Sequence, residues 1–218
     1  ETKRDTQIGL SAIALTGIKN ELHRMIDMAK QNVDSSFLCV KEGKKELLEE
    51  VREREDYIDY LNKEISKYIS KVLVNESNPD DSQYISALFK VCGNVERIGD
   101  HAMNICEYTN LIESQGISFS SEVKEEIDEM RDICGKALDF LGQIKDNTME
   151  NVKAIEDIEQ KIDDMTEEYR KKQLIRMQKG TCSEEGCIIY AEMLTDFERI
   201  GDHILNIGQE MGLGKVSA

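Results

Sequence analysis

The side chains best suited to chemistry are two pairs of carboxylates, Glu96 with Asp100 and Glu198 with Asp202. Both pairs lie in a ten-residue stretch that occurs twice, at 96–105 and 198–207, with eight positions identical. Like charges at i and i+4 are neighbours on a helix and repel each other, and a bound cation removes that cost. The duplication indicates an internal repeat, so each half of the chain is expected to carry the same site.

A second set of carboxylates has the same spacing and precedes the first in each half: Glu55, Asp59, Glu159 and Asp163. If the helices that carry the two sets pack side by side, four carboxylates meet in each half. Oxygen ligands without histidine or cysteine suit hard cations such as Fe³⁺, Mn²⁺, Mg²⁺ or Ca²⁺ better than Zn²⁺. Gly99 and Gly201 each cost a helix interior about 1 kcal/mol relative to alanine, which predicts a close approach to the backbone there. A solvated acidic face is the alternative interpretation.

The other polar residues of the repeated stretch are expected to have supporting roles. His101 and His203 flank the apolar stripe of their helices, which favours packed or hydrogen-bonded rings over metal ligands. Arg97 and Arg199 can pair with the neighbouring acids or bind an anion, and ion pairing is the preferred interpretation. The positions two residues before the glutamates are weaker candidates for the same site: Asn94 and Asp196.

Long helices must position these residues, because apolar side chains recur at three- and four-residue steps. The predicted helices span about residues 8–37, 45–74, 82–111, 121–145, 149–178 and 185–211. Gly43 and Asn147 mark breaks that accept left-handed backbone, residues 75–81 form a loop, and the tail from Gly212 is predicted to be disordered. The pattern predicts an all-α fold, a tandem repeat of two three-helix bundles of long antiparallel helices at 1–112 and 113–218.

Net charge, cysteine spacing and hydrophobic runs further limit the classes of function that fit this sequence. The formal charge of −16 argues against binding nucleic acid. The six cysteines show no C-x-x-C pair, so we expect reduced thiols in a cytoplasmic protein. The sequence has no run of 18 apolar residues that would span a membrane and no signal peptide, and its first residue, Glu1, suggests a piece of something longer.

With its paired E-R-I-G-D-H motifs, its Glu-x-x-Ile-Asp pairs and its repeat of three helices, the sequence resembles the PhoU family over about residues 8–212. The resemblance implies a helical regulator of phosphate uptake with multinuclear metal clusters, iron among them, although Mn, Mg, Ca or Zn would also be compatible with the ligands. It assigns one cluster to Glu55, Asp59, Glu96 and Asp100, and the other to Glu159, Asp163, Glu198 and Asp202.

Within that family, the first helix resembles the cytoplasmic tail of bacterial Na⁺/phosphate cotransporter-like proteins, through Ala14-Leu15 and Glu21-Leu22-His23-Arg24-Met25. Such a tail would lie at the cytoplasmic face of the inner membrane and modulate a transporter in the same chain. The alternative is a free-standing regulator that contacts a separate phosphate transporter and a sensor kinase, with homo-oligomerisation open.

Two other classes of protein are alternatives to a metal-binding regulator. A ferritin-like di-iron oxidase requires Glu-x-x-His on inward-facing positions, which this sequence lacks, so no enzymatic activity is predicted. A purely structural helical interaction module, with acidic faces that serve solubility alone, stays open as an alternative to metal binding.

Overall fold

The computed structural model describes residues 3–75, 78–143 and 149–212, and the side chains of 15–75, 78–143 and 149–211. These residues form six α-helices and no strand, which confirms the all-α prediction. The helices are α1 (Lys3–Glu42), α2 (Glu46–Asn75), α3 (Pro79–Ser114), α4 (Ser121–Gln143), α5 (Met149–Gln178) and α6 (Glu184–Gly212). The predicted break at 146–148 and the tail after Gly212 lie outside the described residues.

Helix α3 begins three residues earlier than predicted, at Pro79 instead of Ser82. The prediction treated the whole stretch 75–81, which contains Pro79, as a loop that ends in N-cap residues. A proline at the first helical position loses nothing, since the N–H it lacks has no partner inside the helix. Asn78 caps the helix, with its side-chain oxygen accepting a hydrogen bond from the Asp80 backbone N–H at 3.0 Å. Gly43 has φ +67°, as predicted for a left-handed position.

The helices of each half pack on one another, and the two halves share a continuous apolar core. In the first half α1, α2 and α3 all contact one another, and in the second half α6 packs mainly on α5. Helix α3 also packs along α6, and α1 along α4. Phe37 of α1 meets Phe197 of α6 edge to face, with ring centroids 6.4 Å apart.

The predicted domain boundary between residues 112 and 113 falls in the last turn of α3, and the division into two domains stays a prediction.

A buried ion pair holds the three helices of the second half together. The guanidinium of Arg176 in α5 donates two hydrogen bonds of 2.8 Å to the carboxylate of Glu126 in α4. The Tyr190 hydroxyl of α6 donates to the same carboxylate at 2.5 Å. Glu126 is only 3 % exposed, so these donors replace the water that its charge would otherwise require.

The prediction that all six cysteines are reduced is wrong for one pair. Cys182 and Cys187 form a disulfide across the loop that leads into α6, with Cα atoms 6.4 Å apart. Cys187 lies in the first turn of α6, within reach of Cys182 five residues earlier. This spacing differs from C-x-x-C, so the sequence pattern did not predict the bond. The other four are buried free thiols: Cys39, Cys92, Cys106 and Cys134. No described helix is long and apolar enough to cross a membrane.

Candidate functional site

Three of the four predicted ligands of the first half converge where α2 packs on α3. Glu55, Glu96 and Asp100 each place one carboxylate oxygen within 4.8 Å of the other two. Gly99 makes this approach feasible, because a Cβ at that position would overlap the Oε2 atom of Glu55. The prediction that something lies close to the backbone at Gly99 is therefore confirmed, and in this half it is a candidate ligand.

Burial and the neighbouring carboxylates suppress the ionisation of Glu55 and Glu96. Burial, with Asp100 next in importance, raises the pKa of Glu55 to about 8. Burial and the Asp100 charge also raise the pKa of Glu96 to about 7. The Oε2 atom of Glu55 is inaccessible to solvent and has no hydrogen-bond partner. An acceptor in that state is costly unless a proton or a cation satisfies it.

The second half forms an equivalent group where α5 packs on α6. Glu159, Asp163 and Asp202 each place one oxygen within 4.8 Å of the other two. Burial, followed by the effect of Asp163, raises the pKa of Glu159 to about 7, and burial also raises the pKa of Asp202. Gly201 has a different neighbour from Gly99: a Cβ there would lie 2.8 Å from Cγ2 of Ile162, so in this half the glycine permits close helix packing.

The structure leaves two of the eight predicted ligands just outside these groups, one in each half. Asp59 accepts a hydrogen bond from Lys63 on its own helix at 3.2 Å. Glu198 lies 3.8 Å from the guanidinium of Arg170. Both still contribute to the raised pKa values of their neighbours, Asp59 acting on Glu55 and Glu198 on Glu159. The four carboxylates of each half therefore share one surface, with three of them in close contact.

Oxygen atoms arranged in this way can ligate a hard cation. Protein oxygens lie about 2.0–2.1 Å from Mg²⁺ and about 2.3–2.6 Å from Ca²⁺, so two ligands of one ion are at most about 4.2 Å apart around Mg²⁺ and about 5.2 Å apart around Ca²⁺. The oxygens of each group lie within 4.8 Å of one another, which is inside the limit for Ca²⁺. No histidine or cysteine belongs to either group, and the donor set is therefore of the kind that hard cations prefer.

A pair of histidines lies between the two halves, where α3 crosses α6. Nδ1 of His101 is 2.8 Å from Oδ1 of Asp196, and Nδ1 of His203 is 3.0 Å from Oδ1 of Asn94. The two imidazole rings stack with centroids 5.5 Å apart. Because positions 94 and 196, and 101 and 203, correspond at the repeat offset of 102, each half donates to the other in the same way. The expectation that these histidines are hydrogen-bonded agrees with this geometry.

Asn94 and Asp196 therefore belong to the helix crossing rather than to the acidic groups, and their assignment as weaker ligand candidates is wrong. Asp196 is 6 % exposed and also accepts hydrogen bonds from Asn104 at 3.3 Å and from the Tyr108 hydroxyl at 2.5 Å. Sequence reasoning missed this network because all of its bonds to Asp196 join α3 to α6. The repeat of the motif at an offset of 102 residues could have predicted this network. That prediction also requires the assumption that the two copies pack antiparallel.

The preferred interpretation of Arg97 and Arg199 as partners of the neighbouring acids is supported only at longer range, because the charge of Arg97 acts to lower the pKa of Glu96 and that of Arg199 acts to lower the pKa of Asp202. Neither makes a close ion pair among the described residues, and both are exposed. The other six arginines with described side chains all lie within 3.8 Å of a carboxylate. Burial, the neighbouring His101 and then the two arginines lower the pKa of His203 to about 4. The charge of Asp100 acts on the pKa of His203 in the opposite direction.

Comparison with solved structures identifies the fold. The crystal structure of PhoU from Pseudomonas aeruginosa superposes with a TM-score of 0.84, covering 92 % of this chain and 96 % of that one at 18 % identity. The phosphate transport system regulatory protein PhoU from Streptococcus pneumoniae superposes with a TM-score of 0.82 at 17 % identity, over 92 % and 94 % of the two chains.

Sequence comparison reaches the same family independently. A phosphate-specific transport system accessory protein, PhoU homolog 1 of Thermotoga maritima, is 26 % identical over 203 residues, which are 90 % of this chain and 85 % of that protein. The PhoU homolog of Borreliella burgdorferi is 23 % identical over 197 residues and 88 % of each chain. The sequence profile of the PhoU domain matches residues 22–109 and 127–211, one match in each half. The chain therefore belongs to the PhoU domain family.

Proposed function

We propose that this chain is a PhoU-type accessory protein that regulates phosphate transport and catalyses no reaction itself. The observation that carries the proposal is the match of the PhoU domain to both halves. Relatives named as accessory proteins of phosphate-specific transport systems, similar over most of their length, support it. They support a regulator of the PhoU-homologue type, the alternative in the sequence analysis, more strongly than a domain of a Na⁺/phosphate cotransporter.

The proposed function includes a cation site in each half. Glu55, Glu96 and Asp100 would hold a cation in the first, with Asp59 adjacent. The second half has a corresponding set: Glu159, Asp163 and Asp202, with Glu198 adjacent. Iron is the first candidate from the family resemblance, and Mn²⁺ has a similar preference for oxygen ligands.

The residues present fit such an ion. The buried Oε2 atom of Glu55 lacks a hydrogen-bond donor, and a cation would supply the missing positive partner. Burial and then the neighbouring carboxylates raise the pKa values of Glu55 and Glu96, and a bound cation would offset both effects. A bound ion would supply positive charge that holds α2 to α3 and α5 to α6, so that occupancy would stabilise the faces presented to a partner.

Metal content is the direct test of the cation sites. We would measure metals in the chain purified without chelator or nickel, and after Fe²⁺ or Mn²⁺ is added back. Variants Glu55→Gln/Asp100→Asn and Glu159→Gln/Asp202→Asn should each lose the metal of one half. The matched control is Glu49→Gln/Glu50→Gln, which changes two exposed acids of α2 and should keep the metal of the wild type. Equal, negligible metal in all four proteins would exclude the sites and favour a structural interaction module.

The regulatory proposal has a separate test in cells. The partner would be a membrane phosphate transporter, with a sensor kinase as a second candidate, so the chain would act at the cytoplasmic face of the membrane. Deletion of the gene in the source organism should make the rate of radiolabelled phosphate uptake insensitive to external phosphate. Re-expression of the chain should restore that response. An uptake response that is unchanged by the deletion would contradict the proposal.

A further inference from the structure

We propose that Arg97 and Arg199 form a binding site for inorganic phosphate at the centre of the α3–α6 crossing. The inference rests on the proposed function, because it supplies the ligand that a regulator of phosphate transport would respond to. It is carried by the lack of ion pairs at these two arginines and by their symmetric placement at the crossing.

Among the arginines whose side chains are described, only Arg97 and Arg199 lack a close ion pair. The chain has 44 acidic residues, and six of the eight arginines with described side chains lie within 3.8 Å of a carboxylate. The two exceptions occupy the same position in the two repeats, each directly after a glutamate. The charges of Arg97 and Arg199 act on Glu96 and Asp202, but no carboxylate holds either guanidinium in a close ion pair among the described residues. Their planar donors are therefore available for an external anion and suit a tetrahedral oxyanion.

The geometry of the crossing places the two arginines on facing stretches of α3 and α6. On α3, Arg97 lies between Asn94 and His101, and on α6 Arg199 lies between Asp196 and His203. His101 bonds to Asp196 while His203 bonds to Asn94, so the crossing is centred near positions 97 and 199. Residues three and four apart share a helix face, which places each arginine on the side of its helix that carries the stacked histidines. Packed helix axes lie about 8–10 Å apart, within the joint reach of two arginine side chains.

Hydrogen bonds fix the two helices at the crossing. Asn104 and Asn206, one turn beyond the histidines, direct their amide groups to Asp196 and Asn94 at 3.3 Å, which ties α3 to α6. The acidic groups flank the arginines on both sides, so cations bound there would strengthen the attraction for phosphate.

The test is equilibrium dialysis of radiolabelled inorganic phosphate against the full chain at physiological salt, both treated with chelator and loaded with Mn²⁺. The variant is Arg97→Gln/Arg199→Gln, and the control is Arg24→Gln/Arg52→Gln, which removes the same charge from two exposed arginines elsewhere. We expect saturable binding near one phosphate per chain, tighter with Mn²⁺. The variant should weaken binding by at least about 10-fold and the control by less than about 2-fold. Helicity and metal content of the variant should match those of the wild type.

Three results would overturn the inference. One is the absence of saturable phosphate binding in both metal states. Another is Mn²⁺-dependent binding that the variant retains, because the phosphate would then sit on the metal alone. The third is binding of O-phosphoserine but not of inorganic phosphate, which would point to a phosphorylated protein. Since metal content is measured separately, a failure of the cation sites is distinguishable from a failure of the phosphate site.

Discussion

The Glu55 carboxylate of α2 lies directly against the backbone of Gly99 in α3, in the space that a side chain at position 99 would occupy. At the equivalent position of the second half, Gly201 faces the Cγ2 atom of Ile162 instead. The glycine of the motif therefore leaves room for a candidate ligand in the first half, and it allows close packing of two helices in the second half. This difference makes the two glycines separable by mutation.

Gly99→Ala should impair metal binding without unfolding the chain. Its Cβ would displace the end of a flexible glutamate side chain, which costs the fold little, and alanine in place of glycine gains about 1 kcal/mol of helix propensity. Gly201→Ala should instead lower the free energy of unfolding by up to about 2 kcal/mol, because its Cβ meets a branched core side chain at a cost of about 1–3 kcal/mol that the same gain in helix propensity only partly offsets. Urea denaturation combined with metal analysis distinguishes the two. Loss of stability in Gly99→Ala with normal metal content would contradict this account.

The stability of the metal-free protein should fall as pH rises from about 5 to 8. The pKa of Glu55 is about 8 and those of Glu96 and Glu159 are about 7, whereas glutamate in the unfolded chain has a pKa of about 4.3. Between these values the folded chain binds more protons than the unfolded chain, so the free energy of unfolding decreases with pH.

Urea titrations in the presence of chelator at several pH values would measure this effect. Glu55→Gln is the internal control, because a glutamine cannot ionise and should flatten the decrease. A decrease of equal size in wild type and Glu55→Gln would show that the pH dependence arises elsewhere. Adding a cation that binds the groups should reduce the loss of stability at pH 8, since it replaces the protons.

Asp196→Ala should destabilise the chain by about 2–4 kcal/mol. The substitution leaves His101, Asn104 and Tyr108 without their shared acceptor in a mostly buried position. Asp196→Asn should cost only about 1 kcal/mol, because Asn94 already accepts from His203 through the same geometry in the other half. Thermal and urea unfolding measure both variants, and equal losses would show that the carboxylate charge itself is required.

Glu126→Gln should destabilise the chain by about 3–5 kcal/mol, the usual cost of breaking a buried ion pair by removing one partner's charge. Arg176 would retain its positive charge with Glu126 no longer ionised, and Tyr190 would lose a charged acceptor. Glu122→Gln is the matched control, because Glu122 contacts the same guanidinium at 3.1 Å but its side chain is 58 % exposed. The Glu122→Gln substitution should lower the free energy of unfolding by less than about 1 kcal/mol. Similar losses in both variants would contradict the importance assigned to burial.

The helical fold follows from the local sequence pattern, because apolar residues at three- and four-residue steps specify the buried face of each helix without reference to its neighbours. The sequence also identified the carboxylate pairs, since residues four apart on one helix are neighbours whatever the helix packs against. The duplication of the motif predicted two sites with the same chemistry. These are local or repeated properties, and each can be read from one segment of the chain.

Which of those residues meet depends on how the helices pack against one another. The packing of α2 on α3 selected Glu55 over Asp59 for contact with Glu96 and Asp100, and the packing of α5 on α6 left Glu198 beside Arg170. The bonds of His101 to Asp196 and of His203 to Asn94 join segments about a hundred residues apart, and neither is implied by the spacing of residues on one helix. The physical reason is that helix periodicity fixes the face on which a side chain lies, while the crossing of two helices fixes what that face touches.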